Sequence, residues 1–167
     1  MKIDRTNEFN LRKFLEKQNW SIDLKIKRQD ERSLQITKLD PADIKLESFH
    51  SGLSYERCTN KDWQIRLENS GRIPLDIAVL AAFLENPDQI PECMKNAKFS
   101  KGSGSVMLTF DGTVLAYEND RGLGDESNPD LDECLPALCN TNGVLTFDLI
   151  RCYVGRGCLN SSFSVVV

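Results

Sequence analysis

Pro74-Leu75-Asp76-Ile77-Ala78-Val79-Leu80-Ala81-Ala82-Phe83-Leu84-Glu85-Asn86-Pro87 is the stretch on which the fold turns. Ile77, Leu80, Ala81 and Leu84 recur at helical spacing, Pro74 suits a first turn where its missing N–H costs nothing, and Asn86-Pro87 stops the run. From Ile77 to Leu84 the side chains are nearly all apolar, so the spacing predicts a helix over about 74–86 buried on several sides. Elements on either side must cover it.

Upstream, Thr6 or Asn7 can cap a short helix through Lys17, with Phe9, Leu11, Phe14 and Leu15 as its apolar face. Trp20, Ile22, Leu24 and Ile26 then alternate with polar residues at the period of a half-buried strand. Beyond the polar turn Gln29-Asp30-Glu31-Arg32, Leu34 and Ile36 alternate again. These two runs predict an antiparallel hairpin. Asp40-Pro41 breaks the pattern, Ile44 to Phe49 reads as a strand, and Trp63, Ile65 and Leu67 read as another, ending at Asn69-Ser70-Gly71.

Downstream, Ser100-Lys101-Gly102-Ser103-Gly104-Ser105 is a flexible connection and the best internal boundary. Val106, Leu108 and Phe110 lead to Asp111-Gly112, a type I′ turn dipeptide, and then to Val114 and Ala116, a second hairpin signal. Asn142-Gly143 restarts the strand pattern through Tyr153, and residues 163–167 form a last short strand. The expected class is α+β: an N-terminal helix and β-hairpin, the central buried helix, and a C-terminal antiparallel sheet. One domain over 1–167 is expected; the alternative is a subdomain over 1–99 beside a β subdomain over 105–167.

Composition narrows the function classes. With 167 residues, 40% of them hydrophobic and 28% charged, the chain can bury a core without covalent staples. It contains no apolar run of membrane-spanning length, and its start lacks the apolar stretch of a signal peptide, so a cytoplasmic location and no membrane partner are expected. The net charge of −4 hides an asymmetry. Residues 1–40 hold ten Lys or Arg against seven Asp or Glu, a balance of +3; residues 105–140 hold one Arg against eight acids, a balance of −7. Such a dipole steers charged partners or promotes self-association. Trp20, Lys25, Lys27, Arg28 and Arg32 make a modest basic stripe, but Asp23, Asp30 and Glu31 dilute it, which argues against nucleic acid.

Reactive side chains concentrate late in the chain. Cys134, Cys139, Cys152 and Cys158 read C-x4-C-x12-C-x5-C, an approximation to two zinc half-sites without the tight knuckle. In a reducing compartment these thiols stay free, and Cys152 suits a core position. Seven carboxylates lie between Glu118 and Glu133, of which Asp120, Asp125, Asp130 and Asp132 are hard oxygen donors of the kind calcium accepts, though not at EF-hand spacing. His50 is the only histidine, which removes most routes to histidine-based acid–base chemistry; Cys58 is the nearest thiol to it in sequence. Gly102-x-Gly104 and Gly155-x-Gly157 lack the context of a phosphate cradle.

Leu84-Glu85-Asn86-Pro87-Asp88-Gln89-Ile90-Pro91-Glu92, the Phe110-x-Gly112-Thr113-Val114 strand and Leu39-Asp40-Pro41-x-x-Ile44-x-Leu46 resemble a group of small uncharacterised bacterial proteins. In that group a helix ends in Asn-Pro-x-x-Ile-Pro-Glu and a closing antiparallel sheet follows. Met94-Lys95 stands where the group places Trp-Lys, and its Trp-rich closing strands are missing here. The resemblance implies an architecture and no activity.

No set of residues supplies nucleophile, base and electrophile together. The expectation is a small non-enzymatic binding or protein-interaction module with no cofactor, working through a protein partner or self-association. The alternatives are a thiol-dependent or metal-assisted hydrolase and a metal-binding structural or sensing module.

Overall fold

The structure, a computed structural model, describes residues 1–48, 60–98, 105–117, 133–151 and 162–167. Seven strands of the described residues form one sheet: β1 (Leu24–Gln29), β2 (Lys45–Ser48), β3 (Val106–Thr109), β4 (Thr113–Tyr117), β5 (Glu133–Thr141), β6 (Val144–Arg151) and β7 (Ser162–Val166). Among the described residues five α-helices accompany it: α1 (Leu11–Lys17), α2 (Glu31–Leu34), α3 (Asn60–Asn69), α4 (Ile77–Glu85) and α5 (Glu92–Lys95). The α+β class holds. Strands from both sides of residue 100 share the sheet, β1 pairing with β4 and β2 with β7. No described helix is long and apolar enough to cross a membrane.

The sheet is organised around β5, and Pro136 explains its shape. Along one edge of β5 run β3 and β4 in succession, both antiparallel to it, with Thr109 opposite Ala137 and Leu115 opposite Cys134. Phe110 N–H donates to the Pro136 carbonyl at 2.9 Å, but Pro136 has no N–H to return, so the Phe110 carbonyl accepts from Thr113 N–H at 3.2 Å instead. The chain therefore makes a tight turn at Asp111-Gly112 and then resumes its direction along β5. Beyond the break, β3 continues into β7 and β2, while β4 continues into β1. The sheet forks and curls there.

Several expectations change as a result. Asp111-Gly112 does not reverse the chain, and neither residue has positive φ; the type I′ geometry belongs to Asn142 (φ 54°) and Gly143 (φ 88°), which join β5 to β6. Gly112 is required by crowding: a Cβ there would lie 2.6 Å from the Pro74 carbonyl oxygen and 2.9 Å from that of Leu75. The C-terminal strands are not purely antiparallel, because β7 runs parallel to β3.

The N-terminal hairpin also gives way. Asp30 caps the helical turn α2 by accepting from Arg32 N–H, so Leu34 and Ile36 do not form a strand and β1 pairs with β4. Arg5 fixes that arrangement. Its guanidinium grips Asp76 at 2.8 and 3.2 Å and donates to the carbonyls of Ser33 at 3.0 Å and Ile36 at 3.2 Å. Asp76, fully buried, spends its Oδ1 capping α4 through Ala78 and Val79 N–H. With Asp76 as the cap, the central helix starts at Ile77 and Pro74 stays extended, bridged to Val166. Likewise α1 starts after Asn10, whose side chain accepts from Lys13 N–H, and not at Thr6 or Asn7. Trp63 to Leu67 is helical in α3: three alternating positions fit a helix as well as a strand, and burial of Leu67 beside exposed Ile65 follows the helical period.

Strand pleating divides the sheet into two faces. Leu24, Leu108, Leu115, Cys134, Leu138 and Val165 share one face and one core cluster with Ile77, Leu80 and Phe83 of α4 and with Leu11, Phe14 and Leu15 of α1. The other face carries Val114, Ala116, Leu135, Ala137, Thr109 and Ser164, also buried, with Val114 and Leu135 as a separate small cluster.

Candidate functional site

The sheet's fork, where β3 gives way to β4, opens a cleft of about 480 Å³. It is lined by charged Arg28, Asp30, Glu31, Arg32, Glu68 and Asp111 and by apolar Leu67, Pro74 and Val114. Four segments meet there: the end of β1 with α2, the end of α3, the extended stretch before α4, and the Asp111-Gly112 turn. Main-chain bonds join them, with Asp30 N–H donating to the Gly112 carbonyl at 2.9 Å and Gly112 N–H to that of Leu75 at 3.0 Å. The turn that Pro136 enforces thus holds the cleft together.

Within it, Arg32 and Asp30 form a two-pronged pair, Nε to Oδ1 at 3.0 Å and Nη2 to Oδ2 at 2.7 Å. Desolvation pushes the Asp30 pKa up, but the Arg32 side-chain and backbone hydrogen bonds outweigh it and leave the carboxyl below its ordinary range. The hydrogen bond that Arg32 donates to Asp30 raises the Arg32 pKa, with Glu68 adding a smaller push. Asp111, 5% exposed, sits one turn away with Thr109 Oγ1 at 2.6 Å from its Oδ2 and 3.1 Å from the Phe163 carbonyl. One hydroxyl proton serves one acceptor at a time, and the shorter contact to a charged oxygen is the stronger.

The lining residues hold four carboxylates against two guanidinium groups, and the Arg32–Asp30 pair cancels internally. Of the remaining exposed lining residues, Glu31 and Glu68 stand against Arg28, an acidic balance. Among the described residues, the lining holds no cysteine, serine, histidine or lysine.

The cysteines and carboxylates singled out in the sequence are distributed elsewhere. His50, Cys58, Asp120, Asp125, Asp130, Asp132, Cys152 and Cys158 lie outside the described residues, as do most of the acidic loop and the Ser100–Gly104 connection. Cys134 and Cys139 both lie in β5, at odd spacing, so they occupy opposite faces; Cys134 is in the core and Cys139 half-buried beside Thr141. Five residues of regular strand put about 16 Å between them, too far to share a metal ion or a disulfide. Glu133 is not part of a solvated loop: it opens β5, only 8% exposed, and pairs with Lys27 Nζ at 2.6 Å over Ala116. Cys93, exposed on α5, is a free thiol whose pKa desolvation raises. Among the described residues, no group of three or more His, Cys, Asp or Glu is placed to hold a metal ion.

No family model matches the chain, and no curated protein and no solved structure matches it.

The cleft residues were the ones sequence reading missed. Arg28 and Arg32 read as part of a basic hairpin stripe, and Asp111 as a turn residue. Glu68 carried no signal. Only the run of charge around Asp30 hinted at the site.

Proposed function

We propose that this protein is a non-enzymatic binding module that holds a basic segment of a protein partner in the cleft at the sheet's fork. The observation that carries the reading is the lining: charged side chains beside apolar Leu67, Pro74 and Val114, and net acidic after the internal Arg32–Asp30 pair is set aside. A half-open groove that sets charged side chains beside apolar ones suits an extended polypeptide with lysine or arginine side chains better than a small apolar ligand, whose surface asks for an enclosed pocket. Arg28 at the edge supplies one point of discrimination, favouring a segment with a carboxylate beside its basic residues.

Fluorescence anisotropy with three labelled hexapeptides, Lys-rich, Gly-Ser and Glu-rich, tests this directly. The Lys-rich peptide is expected to bind best and to weaken with salt. The double variant Glu31→Lys, Glu68→Lys should lower its affinity about tenfold, equivalent to about 1.4 kcal/mol. Equal binding of the Glu-rich peptide, or no change in the double variant, would reject the reading.

A further inference from the structure

The three outer strands of the sheet are unequal. β1 carries Lys25, Lys27 and Arg28 and a register shift between Ile26 and Arg28; β2 has four residues, among them Lys45 and Glu47. Charges, bulges and short length are how proteins keep sheet edges from pairing with other chains. By contrast β6 has eight residues, pairs with β5 without a shift from Val144 to Arg151, and pairs with no other strand among the described residues. Val144 is 64% exposed.

The direction of its main chain is fixed by β5. Because the Pro136 carbonyl faces Phe110, even-numbered β5 residues turn their main-chain groups toward β3 and β4, and odd-numbered ones toward β6. The ladder bonds to β6 therefore fall at 144, 146, 148 and 150, and the N–H and C=O groups of Leu145, Phe147 and Leu149 point away from the sheet. One is shielded at present: Asp148 Oδ1 accepts from Leu149 N–H at 2.7 Å.

We propose that β6 pairs with β6 of a second copy of this chain, antiparallel about a two-fold axis at Phe147. The sequence Val144-Leu145-Thr146-Phe147-Asp148-Leu149-Ile150 has the same chemistry read in either direction. Centred on Phe147, Val144 lies opposite isoleucine 150 of the other copy, Leu145 opposite leucine 149, and Thr146 opposite aspartate 148. Each outward main-chain group at 145, 147 and 149 meets a complementary one, and Asp148 exchanges its local bond for the threonine hydroxyl across the axis. A two-residue slip that moves the axis to Asp148 sets carboxylate against carboxylate and is disfavoured. The axis is perpendicular to the sheet, so each face continues across it, an isologous contact. This is independent of the cleft, which lies on the far side of β5.

Sedimentation velocity across a concentration series of the full chain tests the proposal, with far-UV circular dichroism to show that each variant is folded. The wild type is expected to dimerise. Thr146→Asp, at an exposed position, places a carboxylate opposite Asp148 twice in the dimer and should weaken association at least tenfold; adding Asp148→Lys to it should restore it. Hydrogen exchange at the Leu145 and Phe147 amides should slow as protein concentration rises. A chain that stays monomeric up to about 1 mM, an association that Thr146→Asp leaves unchanged, or a double variant that fails to recover would each overturn it.

Discussion

The face of the sheet carrying Leu24, Leu108, Leu115, Leu138 and Val165 and the face carrying Val114, Ala116, Ala137, Thr109 and Ser164 are both buried, and chemically unlike. The first meets α4 with large aliphatic side chains, the packing from which most core stability comes. The second, apart from Leu135, is built mostly of smaller and hydroxylated residues, and Ser164 Oγ on it is buried with no hydrogen-bond partner among the described residues. Small side chains leave room: over Ala116 Lys27 reaches Glu133, and beside Thr109 the carboxylate of Asp111 is held at the cleft. Burial alone does not mark a core made for stability; on the second face it positions charge.

The contrast is sharpest at Leu80, fully buried against the first face. Leu80→Ala should cost about 2–5 kcal/mol, the range for deleting methylenes from a closed core. Urea denaturation measures it, with an unchanged slope showing that the variant unfolds from the same compact state. A loss under about 1 kcal/mol would mean the site collapses around the smaller side chain, and that the first face is no more tightly packed than the second.

On the second face the equivalent test is polar. Thr109→Val keeps the shape and removes the hydroxyl, leaving the Asp111 carboxylate and the Phe163 carbonyl one donor short. An unsatisfied buried acceptor costs about 1–3 kcal/mol, so the expected loss is smaller than at Leu80. The variant should also alter Lys-rich peptide binding, since Asp111 loses one of the groups that orient it. A variant as stable as the wild type that binds unchanged would make this face ordinary packing.

How much of this was visible in the sequence differs between the same regions. α4 was legible to within three residues at its start because its apolar run is long and Asn86-Pro87 ends it; the sequence puts Pro74 in the first turn, and the hydrogen bonds that Asp76 accepts from Ala78 and Val79 move the start to Ile77. The two Xaa-Gly dipeptides show the limit. Asp111-Gly112 and Asn142-Gly143 carry the same local signal, and which one reverses the chain depends on Pro136, a residue remote from the first in sequence that leaves the Phe110 carbonyl for Thr113. The cleft was illegible for a related reason. Its walls come from segments near residues 30, 68, 74 and 111, and only the sheet's fork brings them together. Cys134 and Cys139 drew attention by proximity in sequence, which in an extended strand is separation in space.

The smallest expected effect concerns the cleft's own ion pair and its dependence on pH. Asp30 has a folded-state pKa below its ordinary value, with desolvation opposing and the Arg32 hydrogen bonds prevailing. A depressed carboxyl binds its proton less readily when folded than when unfolded, so it adds stability that is complete above about pH 4 and is lost as pH falls through the folded-state value. Arg32→Gln removes the partner. Wild type and variant should therefore differ most near neutrality and converge in acid, with the Asp4 carboxyl, lowered by its Thr6 hydrogen bonds, titrating alike in both. The Arg32 side chain is 38% exposed, so solvent screening keeps the difference small and added salt should shrink it further. Thermal melts from pH 2 to pH 7 at two salt concentrations measure it. A gap that persists unchanged at the lowest pH would show that Arg32 acts there through its packing in the cleft wall and not through its charge.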